Sequence, residues 1–240
     1  MVTTKRFIMT LALVGIGGTL STAHGAAITV PIGLSPGATY RIVFITSTAR
    51  DGTSTDIDIY NDFVTTAADL DAGLLSLGTT WKALASTATT NVLANTGLSA
   101  LDTTTPFFNT RGNRIATGVT VGGSGLFGGG STTHLSTLFT ETGSAPPINA
   151  ALTGTAPDGT TSTSPLGGSS VMYGHPQKTT FEWIAESPLD NTYVGLYYGI
   201  SGDLTVPGTP TPDPEPATIA LTGLGAALAF AFSKVRKARN

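Results

Sequence analysis

The chain of 240 residues contains no cysteine. This absence excludes disulfides, zinc-thiolate sites, cysteine nucleophiles and thiol-linked lipid anchors. Because a domain exported without disulfides needs another source of stability, it must rely on its own core or on a metal. The length is sufficient for one domain with a substantial core, or for two small ones.

Charged residues are scarce, at 11% of the chain, and they are distributed unevenly. Of the 12 Lys and Arg, two precede residue 26 and four follow residue 216, so six lie between, together with all 15 Asp and Glu. The intervening region is therefore acidic by about nine charges, which argues against nucleic acid or anionic lipid as its partner.

Long apolar runs occur only at the two ends of the sequence. At the N-terminus, Lys5 and Arg6 precede an apolar stretch over 7–20 and small residues up to Gly25. This pattern predicts a signal peptide over 1–25, which signal peptidase removes by cutting between Gly25 and Ala26. The alternative is an uncleaved anchor, but that requires a run of about 20 apolar residues.

The region between the two ends predicts one α+β domain over 26–206. Residues 40–46 are β-branched and aromatic between turn formers, which predicts a central strand. In residues 51–78 the apolar residues recur at helical spacing, which predicts a helix with Ser54 or Thr55 as its N-cap and Gly78 as its C-terminal stop. The segment 79–87 is compatible with either a short strand or a helical turn.

The remainder of the domain predicts loops followed by closing strands. Glycine, serine and threonine dominate residues 88–170, which favours loops. Residues 179–206 are rich in aromatic and β-branched residues and predict two or three strands. We expect a mixed or antiparallel sheet, one main helix, and pairing of the first strand with the last.

Two glycine motifs match known fingerprints without their structural context. The stretch "GSGLFG" at 123–128 satisfies the dinucleotide pattern, but no helix is predicted to follow it, so we interpret it as a glycine loop. The stretch "GLSPG" at 33–37 fits the hydrolase elbow pattern, yet Pro36 leads into a strand, which favours a turn between two strands. No cofactor is predicted.

Several small groups of polar and aromatic side chains leave alternatives open. His134 and His175 are predicted to be solvated loop residues, and the alternative is a metal pair or part of a catalytic triad. The alternative to helix capping near residue 51 is calcium, and the alternative to a non-enzymatic domain is a surface glycoside hydrolase or a carbohydrate-binding module. The residues considered for calcium are Asp51, Asp56 and Asp58. Those considered for glycoside hydrolysis are Glu182, Glu186 and Asp190, and those considered for carbohydrate binding are Trp183, Tyr197 and Tyr198. No catalytic or metal-binding set is selected.

The C-terminus predicts a separate element. A Pro-rich linker over 207–213 is followed by Pro214, Glu215 and Pro216, and by an apolar run over 217–233. As a helix, this run spans about 25 Å, close to the thickness of a bilayer core. Four basic residues follow it and predict a cytoplasmic end. These residues are Lys234, Arg236, Lys237 and Arg239.

The segment 214–240 resembles the PEP-CTERM sorting signal of exported bacterial proteins. The resemblance implies recognition of the Pro-Glu-Pro motif by an exosortase-type processing enzyme, transient membrane attachment, and a role in exopolysaccharide or biofilm. An ordinary retained anchor is the alternative. Residues 40–87 more weakly resemble endostatin-like domains of the C-type lectin-like class, although the disulfides and the "EPN" or "WND" sugar motifs of that class are missing. We expect a non-enzymatic surface or matrix protein, and O-glycosylation of its many Thr and Ser is a further hypothesis.

Overall fold

The computed structural model describes residues 29–120 and 124–208. The cleavage site Gly25–Ala26, the sorting motif Pro214, Glu215 and Pro216, the helix predicted over 217–233 and the basic end lie outside the described residues. Nine strands, three α-helices and two short 3₁₀ helices make up the described part. Their order is β1 Thr39–Ile45, α1 Ile57–Asp69, α2 Ala72–Ser76, β2 Trp81–Ala83, α3 Val92–Thr96, β3 Pro106–Asn109, β4 Arg114–Thr117, 3₁₀ Gly129–Ser131, β5 Ala151–Leu152, β6 Ser170–Gly174, 3₁₀ Phe181–Trp183, β7 Ser187–Asp190, β8 Tyr198–Ser201 and β9 Leu204–Thr205.

A six-stranded mixed sheet forms the centre of the domain. Its strand order is β2-β8-β1-β3-β4, and β9 pairs with β1 beside β8. Strand β1 runs parallel to β3 and antiparallel to β8 and β9. The α+β class, the central strand and the pairing of the first strand with the last are therefore confirmed. A smaller antiparallel sheet, β5-β6-β7, is bonded through β5 to Leu196, just before β8.

Strand β1 separates two hydrophobic clusters. Ile42 and Phe44 belong to the cluster that α1 covers, whereas Val43 and Ile45 belong to the cluster around Trp183. Because successive side chains of a strand point to opposite faces, both faces of this strand are buried. The continuous apolar sequence of residues 42–45 follows from that position.

The helical region differs from the prediction at both ends. Asp56, rather than Ser54 or Thr55, caps α1, since its carboxylate accepts from the N–H of Asp58 at 3.0 Å. The helix ends at Asp69 instead of continuing to Gly78. Asp71 then caps α2 by accepting from Leu74 N at 3.0 Å, because an acidic side chain at this position satisfies the free N–H groups of a new helix.

The strands β7, β8 and β9 confirm the two or three strands predicted over 179–206, and two further segments add to that result. Residues 79–87, which were left open, contain the strand β2. The aromatic segment after residue 179 forms the 3₁₀ turn Phe181–Trp183 instead of a strand, and this turn places Trp183 in the core. The turn at 33–37 leads into β1 as predicted, but no strand precedes it among the described residues.

The two ends of β1 define two poles of the domain. At the terminal pole, the N–H of Val206 donates to the carbonyl of Ala38 at 2.9 Å, and the hydroxyl of Tyr40 donates to the carbonyl of Thr29. Both ends of the domain, 29 and 208, therefore leave from this pole. The distal pole lies beyond Ile45, about 20 Å away along a strand of 7 residues.

Candidate functional site

The distal pole lies where the parallel strands β1 and β3 both end. The chain leaves β1 through Ser47 and leaves β3 through Thr110, and a loop of residues 140–144 covers these ends. The hydroxyl of Thr110 donates to Thr140 O at 2.8 Å, and Ile45 N donates to Phe139 O at 3.0 Å. The loop is therefore attached to the carboxyl ends of both strands.

Glu141 is the buried anchor of this loop, with only 1% of its surface exposed. Its Oε2 accepts from the backbone N–H of Ser47 at 2.9 Å, and its Oε1 accepts from the Ser47 hydroxyl. Both carboxylate oxygens thus have donors, which a buried charge requires. The consequence is that Ser47, whose own surface is exposed, is held in one orientation at the distal pole.

A pocket of about 310 Å³ opens beside this pair. Its lining consists of four hydroxyl side chains and two small apolar ones, namely Ser47, Thr140, Thr142, Ser144, Ala145 and Pro147. The hydroxyls are fixed by one another: Thr140 and Thr142 Oγ1 lie 3.1 Å apart, and Thr142 donates to Ser144 Oγ at 3.3 Å. The surface that these residues present to the pocket is mostly apolar, with hydroxyls among it, so the pocket suits a ligand that has both apolar ring faces and hydroxyls.

Arg111 is bonded to the loop that lines the pocket. Its Nε donates to the carbonyl of Gly143 at 2.8 Å, and its guanidinium carbon lies 3.8 Å from the centre of the Phe139 ring. Gly143 stands between two residues that line the pocket. A cation is therefore held against the same loop.

An exposed turn continues the distal surface on the other side of Ser47. Arg50 exchanges two backbone hydrogen bonds with Gly195, each 2.9 Å long. This pairing brings the turn that precedes β8 next to the exposed residues 47–49. Tyr193 is 40% exposed and Val194 54% exposed in that turn, so the distal pole presents apolar as well as hydroxyl surface.

The aromatic residues that the sequence offered for sugar stacking are in the core. Trp183, Tyr197 and Tyr198 are each no more than 1% exposed. The hydroxyl of Tyr198 donates to Trp183 O at 2.6 Å, and Tyr197 stacks on Tyr60 with ring centres 5.1 Å apart. The argument for a carbohydrate-binding module from these three rings is therefore wrong.

The two histidines have different environments. His134 is 5% exposed, its Nε2 lies 3.2 Å from Leu126 O, and its ring centre lies 4.7 Å from that of Trp183. Burial lowers the pKa of His134 to about 4, and the bond to Leu126 opposes this only in part. The prediction of a solvated loop residue is thus wrong for His134. His175 is half-buried, and its Nδ1 accepts from Gln177 N at 3.3 Å.

The carboxylates considered for glycoside hydrolysis have structural partners. Glu182 accepts from the Thr180 hydroxyl at 2.8 Å and lies 3.4 Å from Lys178 Nζ. The hydrogen bond from Thr180 lowers the pKa of Glu182, the opposite of what a general acid at neutral pH needs. Asp190 accepts from both the N–H and the hydroxyl of Thr192. Glu186 Oε2 is buried without a partner among the described residues.

The acidic residues considered for calcium also serve local structure. Asp51 accepts from Thr53 N at 3.1 Å and from its hydroxyl at 2.6 Å, Asp56 caps α1, and Asp58 lies 3.8 Å from Lys82 Nζ. Among residues 29–120 and 124–208, no group of three or more His, Asp or Glu is placed to hold a metal ion.

The Glu141–Ser47 pair and Arg111 were missed by the sequence analysis. One signal was present, since Glu141 is the only acidic residue between Asp102 and Asp158. An isolated carboxylate in a neutral Thr- and Ser-rich stretch carries no partner information, so the pairing required the fold.

Comparison of the chain with protein-family models found no match, and a search among curated proteins found none either. In the part of the chain that the structure describes, every helix is too short or too polar to cross a membrane.

Proposed function

We propose that this chain is an exported, non-enzymatic surface or matrix protein whose domain binds polysaccharide at the distal pole. The observation that carries the proposal is the hydroxyl-lined pocket beside Ser47 and Glu141. Thr140 is buried, so the hydroxyls of Ser47, Thr142 and Ser144 are the ones offered to a sugar, and Tyr193 on the same pole offers a flat apolar contact.

The position of the pocket supports an adhesive or structural role. Both ends of the domain leave from the terminal pole, so a tether at the C-terminus leaves the distal pole facing outward. Residues 214–240 supply such a tether in our proposal: an exosortase-type enzyme recognises Pro214, Glu215 and Pro216 while the helix over 217–233 holds the chain in the membrane. The protein then resides at the cell surface or in the extracellular matrix.

For the fold we propose the C-type lectin-like class, in its endostatin-like form. The supporting features are the order of β1, α1 and the Trp81-containing strand β2, and the antiparallel pairing of β1 with the last two strands. The small sheet β5-β6-β7 is a second, loop-bearing sheet, and β5 is bonded to Leu196 just before β8.

A polysaccharide panel tests the binding function. The full-length mature protein is titrated with soluble neutral polymers (dextran, mannan, cello-oligosaccharides) and uronate polymers (alginate, polygalacturonate). Ser144→Trp fills the distal pocket and should abolish binding, whereas Thr205→Trp, in the pocket of about 280 Å³ at the terminal pole, should leave binding unchanged. Absence of binding to every polymer, or equal loss in both variants, would contradict the proposal.

Intact-mass analysis of the protein recovered from its native host tests the sorting proposal. A chain that ends near residue 216 indicates processing at the Pro-Glu-Pro motif. A chain that ends at Asn240 indicates a retained anchor and contradicts processing.

A further inference from the structure

Arg111 differs from most of the other cations of the domain in having no carboxylate partner. The region 26–216 has six Lys and Arg. Three of them form ion pairs: Arg41 with Asp203 at 2.7 Å, Lys178 with Glu182 at 3.4 Å and Lys82 with Asp58 at 3.8 Å. Within residues 29–120 and 124–208, no Asp or Glu oxygen lies within 4 Å of Arg111. In an acidic domain, an unpaired cation beside a pocket is available to a ligand.

The guanidinium of Arg111 is held in place by neutral groups. The ring of Phe139 supports its face, and the carbonyl of Gly143 takes the hydrogen of Nε. These contacts leave the two terminal Nη groups, which form the outer edge of the guanidinium, without a bond to any described residue. Because an arginine edge of this kind matches the two oxygens of a carboxylate, and because its orientation is already fixed, pairing costs little further entropy.

We propose that the distal pocket binds a sugar that carries a carboxylate, namely a uronic acid unit of a polysaccharide. Arg111 pairs with the carboxylate, and the hydroxyls of Thr142 and Ser144 bond the ring hydroxyls. This inference rests on the proposed polysaccharide-binding function and assigns the charge of the ligand.

The negative charge of the domain does not prevent this pairing. Interactions between exposed charges are screened beyond about 8 Å at physiological ionic strength, whereas the pairing with Arg111 is a direct contact. The nearest buried acid, Glu141, already uses both of its oxygens to accept from Ser47. These bonds leave the charge of Glu141 in place, so the preference for a uronate depends on the direct contact with Arg111.

The test compares Arg111→Gln with Arg114→Gln in the full-length mature protein. Both changes remove one positive charge, and Arg114 is an exposed residue of β4 with no ion pair among the described residues. Binding to alginate and polygalacturonate oligosaccharides is measured against dextran and mannan at fixed salt.

We expect the wild type to prefer the uronate ligands and Arg111→Gln to weaken their binding about tenfold or more, with neutral binding changed less than about twofold. Arg114→Gln should behave like the wild type. The inference is overturned if the wild type prefers neutral sugars or if both variants keep uronate binding. In those cases the proposed polysaccharide-binding function still stands. Failure of the wild type to bind any polymer overturns the binding function as well.

Discussion

The Glu141–Ser47 pair gives a quantitative prediction about the distal pole. Replacing Glu141 with Ala removes the acceptor of two hydrogen bonds and a buried side chain. Hydrogen bonds to a charged group contribute about 1.5–3 kcal/mol each, and water can reach the exposed Ser47 side, so the lower end applies. We expect Glu141→Ala to lower the free energy of unfolding by about 2–4 kcal/mol.

Ser47→Ala should cost about 1.5 kcal/mol, because it removes the hydroxyl bond and keeps the backbone bond to Oε2. Since the two side chains share that bond, the double variant should lose less than the sum of the single losses, by about 1 kcal/mol. Urea unfolding, followed by tryptophan fluorescence, measures all three variants.

Glu182→Ala is the matched control. Its carboxylate is partly exposed and pairs with Lys178, so we expect the free energy of unfolding to change little. The reasoning is refuted if Glu141→Ala costs no more than Glu182→Ala, or if the coupling between Glu141 and Ser47 is below about 0.3 kcal/mol.

Three further predictions concern stability. Because the pKa of His134 is lowered to about 4, the unfolded state binds more protons than the folded state between about pH 6.5 and 4. Stability should therefore fall as the pH drops through this window. His134→Gln should make that fall less steep, which urea unfolding at a series of pH values measures. Gly174→Ala should destabilise by about 3 kcal/mol or more, because a Cβ there overlaps the carbonyl of Trp183, while Gly130→Ala, in open space, should change the melting temperature little. Tyr198→Phe should cost about 1–2 kcal/mol because it leaves that same buried carbonyl without its donor, and an unchanged urea midpoint would contradict this.

The sequence was informative where one physical requirement dominated. Strand β1 was predicted from a β-branched and aromatic run between turn formers, and its burial on both faces explains why that run is so apolar. The existence of α1 followed from its apolar period, but its end did not, since the capping by Asp71 is a local competition that a continued period conceals. The aromatic run that contains Trp183 satisfied strand and 3₁₀ conformations equally, and tertiary packing decided between them.

The candidate site was beyond the reach of the sequence for a different reason. Ser47 and Glu141 are 94 residues apart, and the bridge between Ile45 and Thr140 at the end of β1 brings them together. Arg111 likewise reaches Gly143 from the turn after β3. Pairings between distant loops depend on strand order, which a single sequence without partner information leaves open.

The most direct test of polysaccharide binding at the distal pole is an NMR titration. The mature protein, labelled with ¹⁵N, is titrated with the polymer that binds best in the panel, supplied as short oligosaccharides. We expect amide shifts to cluster at residues 47–49, 111 and 140–147. Shifts that cluster instead around Thr79 and residues 203–207, which line the pocket at the terminal pole, would contradict it.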